Sequence, residues 1–148
     1  MLVKDILGIK GGKIVGIGTE ESLPKAVGLM VDHDIGSLVV LKEGRMAGLL
    51  TFREALAAVH RRKGDIQAAT VGEEMVANPI CCKPEDSVDH MRTVMTDNHV
   101  RYVPIMDGGN LVGVLSFHDV AKAALRAASF ENKLLKQYIK NWPEQDQA

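Results

Sequence analysis

The stretch Gly48-Leu49-Leu50-Thr51-Phe52-Arg53-Glu54 recurs as Gly113-Val114-Leu115-Ser116-Phe117-His118-Asp119. In each copy an apolar run starting at a glycine ends in a hydroxyl residue. An aromatic, a basic or imidazole residue and a carboxylate follow. Such a hydroxyl marks a strand running into a helix, because its oxygen satisfies backbone N–H groups that the first helical turn leaves unpaired. Working outward, residues 22–59 align with 87–124 without a gap: Ser22 falls on Ser87, Met30 on Met95, Asp32 on Asp97, Gly44 on Gly109 and Gly48 on Gly113. Upstream, Val3-Lys4-Asp5-Ile6-Leu7 matches Val71-Gly72-Glu73-Glu74-Met75 at a different offset, so an insertion separates the two matches. Turn glycines and apolar positions coincide together, which identifies the chain as a duplication.

Each copy carries the same pattern. A short apolar strand (Ile14–Ile17; Ile80–Cys82) leads to acids and Ser22 or Ser87, which suit a helix start. Leu23, Ala26, Val27 and Met30, and again Val88, Met91, Val94 and Met95, follow at helical spacing. Two strands joined by a glycine turn come next, Ser37–Leu41 with Met46–Leu50 and Tyr102–Met106 with Leu111–Leu115. A closing helix ends each unit, Phe52–Arg62 and Phe117–Ala128. The order is β-α-β-β-α in an α/β (α+β) class. Runs such as Leu38-Val39-Val40-Leu41 predict strands covered on both faces. One unit cannot cover both faces of its sheet, so the two are expected to pack sheet to sheet about a pseudo-two-fold axis. The expected organisation is 1–62 for the first repeat, 63–70 (Lys63–Thr70) for a linker, 71–128 for the second repeat and 129–148 for a helical tail. The tail is expected to run to about Ile139 and to stop before Trp142-Pro143. Its apolar face, Leu134, Leu135, Tyr138 and Ile139, either meets a second chain or folds back.

Composition sets outer limits. The chain has 148 residues, near one domain's length and enough for a sizeable core. Hydrophobic residues at 46% and charged residues at 25% rule out wholesale disorder. A formal net charge of −1 argues against binding nucleic acid or an anionic membrane by charge alone. No apolar run is long enough to span a bilayer, and Met1–Lys10 carries no signal-peptide pattern. The two cysteines, Cys81 and Cys82, are adjacent and are read as reduced thiols. His33, His60, His90 and His99 lack metal-ligand spacing, so no metal is expected. His60-Arg61-Arg62-Lys63 reads as a solvated run complementing a helix dipole, and the methionines as core filler. The whole reads as a cytoplasmic protein.

With the repeats in place, the chain resembles a tandem pair of CBS domains, the Bateman module, over residues 1–128, and in particular the small stand-alone proteins of that family. The resemblance rests on the two terminal motifs, on Ile35-Gly36-Ser37-Leu38-Val39-Val40 and on Val100-Arg101-Tyr102-Val103-Pro104-Ile105. It implies a non-catalytic regulatory module that holds an adenosine derivative between repeats: AMP foremost, ADP, ATP, or NAD(H) or S-adenosylmethionine. It also implies a homodimer, and a protein partner that reads the ligand state. By resemblance Ser116 meets phosphate and Asp119 the ribose diol, with Thr51 and Glu54 doing so at a second site. The physical logic agrees, since a helix N-terminus favours phosphate and a carboxylate one turn later can accept from two hydroxyls.

Three departures rank the sites. Glu54 stands where the family has Asp, which places Ser116/Asp119 first. Gly16 and Cys81 replace a strand Thr near the base, which leaves recognition to the backbone of Val15–Ile17 and Ile80–Cys82. Arg101, before Tyr102, matches a basic phosphate-reaching position where the first copy has Gly36. Arg53 and His118 hold equivalent places at the cleft mouth, open to phosphate or to solvent. The rival reading is a docking and dimerisation module with a degenerate pocket, the terminal motifs serving only as helix caps. No nucleophile–base pair or open metal position suggests an enzyme.

Overall fold

A computed structural model describes residues 1–11 and 13–141. The elements are α1 (Val3–Lys10), β1 (Gly16–Gly18), α2 (Leu23–Asp32), β2 (Ser37–Lys42), β3 (Arg45–Thr51), α3 (Phe52–Arg61), α4 (Val71–Glu74), β4 (Val76–Ala77), α5 (Val88–Asn98), β5 (Tyr102–Asp107), β6 (Asn110–Ser116) and α6 (Phe117–Lys140). The two α/β repeats and the C-terminal helix of the sequence reading are present. Ser22, Thr51, Ser87 and Ser116 are all N-caps whose side-chain oxygens accept backbone N–H bonds. The hairpins even share a defect: the register slips between Val40 and Leu41 in one repeat and between Ile105 and Met106 in the other. One extra residue at equivalent places is a bulge inherited through the duplication.

Each repeat has its own core. Leu23, Ala26, Met30, Leu38, Val40, Leu50 and Ala58 build the first, and Met91, Met95, Val103, Ile105, Leu115 and Val120 the second. Val39 and Leu49, at 2% and 3% exposure, are buried on the other face of β2–β3, so that sheet is dry on both sides.

The repeats exchange their opening segments. Val3 and Ile6 of α1 lie in the second core, whereas Ala69, just before α4, and Val71, its first residue, lie in the first. Backbone hydrogen bonds fix both exchanges: the Val3 N–H donates to Asp86 O and the Leu23 N–H to Ala69 O. Residues 63–70 are therefore not a bare spacer, since Ala69 is buried at 1% exposure.

The exchange also explains the first residue of the terminal motif. β4 pairs antiparallel with β3, setting Gly48 opposite Ala77, and the sheet order is β1-β2-β3-β4. A Cβ on Gly48 would lie 2.5 Å from the Val76 carbonyl oxygen, and one on Gly113 would lie 2.6 Å from Leu7 Cδ2. Both glycines make room for the opening segment of the other repeat.

Four sequence expectations need correction. The first strand is Gly16–Gly18 rather than Ile14–Ile17. The expected strand Ile80–Cys82 shrinks to a single parallel bridge, Cys82↔Ile105. Cys82 exchanges hydrogen bonds with Pro104 O and the Met106 N–H, while prolines 79 and 84 on either side lack the N–H groups a longer ladder needs. The closing helix of the second repeat and the tail form one unbroken helix, α6, of 24 residues. Trp142-Pro143 lies outside the described residues.

The basic run at the end of α3 is the fourth correction. Arg61 donates to Glu74 Oε2, and Arg62 Nε and Nη2 donate to Glu74 Oε1 at 3.1 and 2.9 Å. Glu74 is 5% exposed, so these arginines clamp a buried carboxylate and tie α4 to α3. Burial pushes the Glu74 carboxyl up, but the two guanidinium groups outweigh it and hold it below its ordinary range.

Candidate functional site

The two terminal motifs sit at equivalent ends of their repeats, each as a capping box. In the first, Glu54 Oε1 accepts from the Thr51 N–H at 2.9 Å and from the Thr51 hydroxyl at 2.8 Å. In the second, Asp119 Oδ2 accepts from the Ser116 N–H at 2.8 Å, and Ser116 Oγ accepts from the Asp119 N–H at 3.0 Å. The helix-cap role is thus present in both copies.

What separates the copies is a third group. Lys10, at the end of α1, donates to Asp119 Oδ2 at 2.7 Å and to Val114 O at 2.8 Å. The exchange of α1 onto the second repeat delivers this ammonium. Nothing equivalent meets Glu54 among the described residues. The side chain of Asp119 is 19% exposed and that of Lys10 38%. Burial pushes the Asp119 carboxyl up, yet Lys10 and the Ser116 donors prevail and hold it below the ordinary carboxylate range. Asp119 is therefore ionised at neutral pH and carries a counter-ion from its own chain.

The repeats meet beside this carboxylate. Tyr102 packs edge-on against Phe52, ring centroids 6.3 Å apart, and the Arg101 guanidinium lies 5.9 Å from the Phe52 centroid. A Cβ on Gly36 would fall 2.0 Å from the Tyr102 hydroxyl, so Gly36 is where the tyrosine crosses the seam. Burial pushes the Tyr102 hydroxyl up; the Arg101 charge opposes this and the Asp119 charge adds to it. Arg53 Nη1 donates across the seam to His99 O at 3.3 Å.

The other expected positions fall as follows. His118 is exposed at the start of α6, and Gly16 is exposed in β1. Ile17 is 5% exposed in the first core, so its side chain is unavailable to a ligand. Ile80 is 40% exposed, and exposed Cys81 donates its thiol to Pro79 O at 3.2 Å. Cys82 is buried, and burial first, then the Asp86 and Cys81 charges, push its thiol up to about 11. The structure thus gathers Ser116, Asp119, Arg101 and Tyr102 with Phe52 and Arg53 along one seam. Lys10 is the residue that sequence reasoning missed; it lies outside both motifs and meets Asp119 only through the exchange of α1.

Comparison with known proteins matches this architecture. The chain belongs to the CBS domain family, whose pattern it matches over residues 3–61 and again over 69–126. It is 29% identical over 146 residues to the mitochondrial CBS domain-containing protein CBSX3 of Arabidopsis thaliana, covering 93% of this chain and 71% of that one. A CBS-domain protein of Agrobacterium tumefaciens has a similar structure, with a TM-score of 0.80 and 32% identity, over 83% of this chain and 92% of that chain. The CBS domain pair of protein MJ0100, solved in complex with 5′-methylthioadenosine and S-adenosylmethionine, has a TM-score of 0.73 and 26% identity, over 83% and 94% of the two chains.

Proposed function

We propose that this CBS pair is a regulatory, non-catalytic sensor that binds an adenosine-containing ligand, AMP foremost, at Ser116/Asp119. The observation that carries the reading is Asp119 itself. It is a half-buried, ionised carboxylate at a helix start beside the seam, able to accept from a ribose diol. Ser116 at the same helix start offers a hydroxyl donor, and the MJ0100 pair was solved with adenosine derivatives bound. Because Tyr102, Arg101 and Arg53 all bridge the repeats there, a ligand preferring one arrangement of the seam shifts the angle between repeats. Thr51/Glu54 is the weaker site, since both donors of Thr51 already converge on one oxygen of Glu54. Two chains associate through the exposed apolar face of α6, where Phe130, Leu134, Leu135 and Ile139 are 50–63% exposed.

The test is calorimetric titration with AMP, adenosine, NADH and S-adenosylmethionine, using a guanosine nucleotide as control. Asp119→Asn, which keeps a helix cap, should abolish binding, whereas Glu54→Gln should leave the tighter phase intact. The rival reading is a docking module, favoured by the complete capping boxes and by Lys10 on Asp119. It predicts no heat with any of these ligands at millimolar concentration.

A further inference from the structure

A cavity of about 380 Å³ opens between α1 and α6. Its walls carry three cations, Lys10, Lys122 and Arg126, and one carboxylate, Asp119, together with the apolar side chains of Met1, Ile6 and Ile9. That volume lies in the lower part of the roughly 300–1,000 Å³ range of small-molecule sites. Lys122 and Arg126 stand one turn apart on the same face of α6, where like charges repel. Neither has an ion-pair or hydrogen-bond partner among the described residues, while Lys10 is spent on Asp119. The cavity thus has an excess of positive charge that the fold leaves uncompensated, directly beside the carboxylate read above as the ribose acceptor. Arg101 differs, since its guanidinium is engaged over the Phe52 ring on the seam.

We propose that the α1–α6 cavity receives the phosphate groups of the adenosine ligand, so that Lys10, Lys122 and Arg126 select phosphorylated adenosines over neutral or cationic ones. The inference rests on Asp119 holding the ribose. As the diol takes over the carboxylate, Lys10 is released and turns to the phosphate, so one side chain guards the empty site and serves the filled one. The sulfonium of S-adenosylmethionine meets like charge in the same place and is rejected. The main phosphate contacts therefore lie on α1 and α6 rather than on Arg101.

The test is titration of adenosine, AMP, ADP and S-adenosylmethionine into the full chain at low salt, for the natural sequence and for three variants. Affinity should rise from adenosine to AMP to ADP, AMP exceeding adenosine roughly tenfold or more, with S-adenosylmethionine weakest. The double variant Lys122→Gln/Arg126→Gln, at exposed positions, should bring AMP and ADP down to the adenosine level without altering adenosine itself. Arg101→Gln should keep the preference. Lys10→Met should tighten adenosine, which no longer competes with an ammonium, while shrinking the gain from phosphate. Equal affinities for adenosine and AMP, or a preference that survives the double variant or is lost in Arg101→Gln, would overturn the inference and leave the sensor reading standing. Weaker adenosine binding in Lys10→Met would overturn the exchange step. Absence of binding by every adenosine compound would remove both.

Discussion

Glu74→Gln tests how far one buried carboxylate holds the exchanged segment in place. Glu74 is 5% exposed and accepts three guanidinium hydrogen bonds, one from Arg61 and two from Arg62. Leaving a buried charge unpaired costs about 3–5 kcal/mol. Here the substitution removes the buried charge itself, and the arginines left behind, with side chains 60% and 28% exposed, can rehydrate. The loss should therefore sit below that range, at about 1–3 kcal/mol, the worth of hydrogen bonds to a charged group. For a chain of this size that lowers Tm by about 2–12 °C. The pH dependence has a definite sign. The folded-state pKa is depressed from the ordinary 4.5, so the contribution is fully present above that value and is lost as the pH falls through the folded pKa. Urea unfolding of both proteins from pH 7 down to the acid limit of folding should give a constant difference at neutral pH that closes in acid. Equal stability at pH 7 would refute the clamp. An undiminished penalty in acid would show that shape rather than charge is responsible.

Three further outcomes follow from the same geometry. Gly48→Ala should cost about 1–3 kcal/mol in denaturant unfolding, because its Cβ meets a backbone carbonyl of β4; Gly113→Ala should cost less, because the end of the flexible Leu7 side chain can turn away. A similar cost for both would argue against the β4 contact. A thiol reagent should modify Cys81 before Cys82, since Cys81 is exposed whereas Cys82 is 2% exposed and its thiol is pushed up to about 11; mass spectrometry of a timed reaction reads this directly, and equal rates would contradict the burial. Replacing Leu134 and Leu135 by Glu should convert a dimer to single chains in sedimentation, and a natural chain that already sediments as a monomer would remove α6 as the interface.

The amino-acid sequence by itself determined what is local or periodic. Four hydroxyl residues announced four helix starts because a cap acts on N–H groups two or three residues away. The alternation of apolar runs and turn glycines announced two hairpins because it follows from strand geometry, and the duplication amplified each signal by repeating it. The pairing of Ser116 with Asp119 across the first turn of α6 was legible for the same reason, since the two stand at a fixed spacing in a recurring motif, whereas Arg101 has no counterpart in the first repeat, which carries Gly36 there. Only the tertiary structure decided which repeat each opening segment joins, since Val3 and Ile6 would fill either core equally well as far as their pattern is concerned. From that one exchange come β4 on the first sheet, the need for Gly48 and Gly113, and the approach of Lys10 to a carboxylate 109 residues away. The same holds for Arg61 and Arg62, which in one dimension are a basic run at a helix end and in three are the partners of Glu74. A charge has no periodicity to betray its partner, and burial decides whether two opposite charges form a clamp or two solvated side chains.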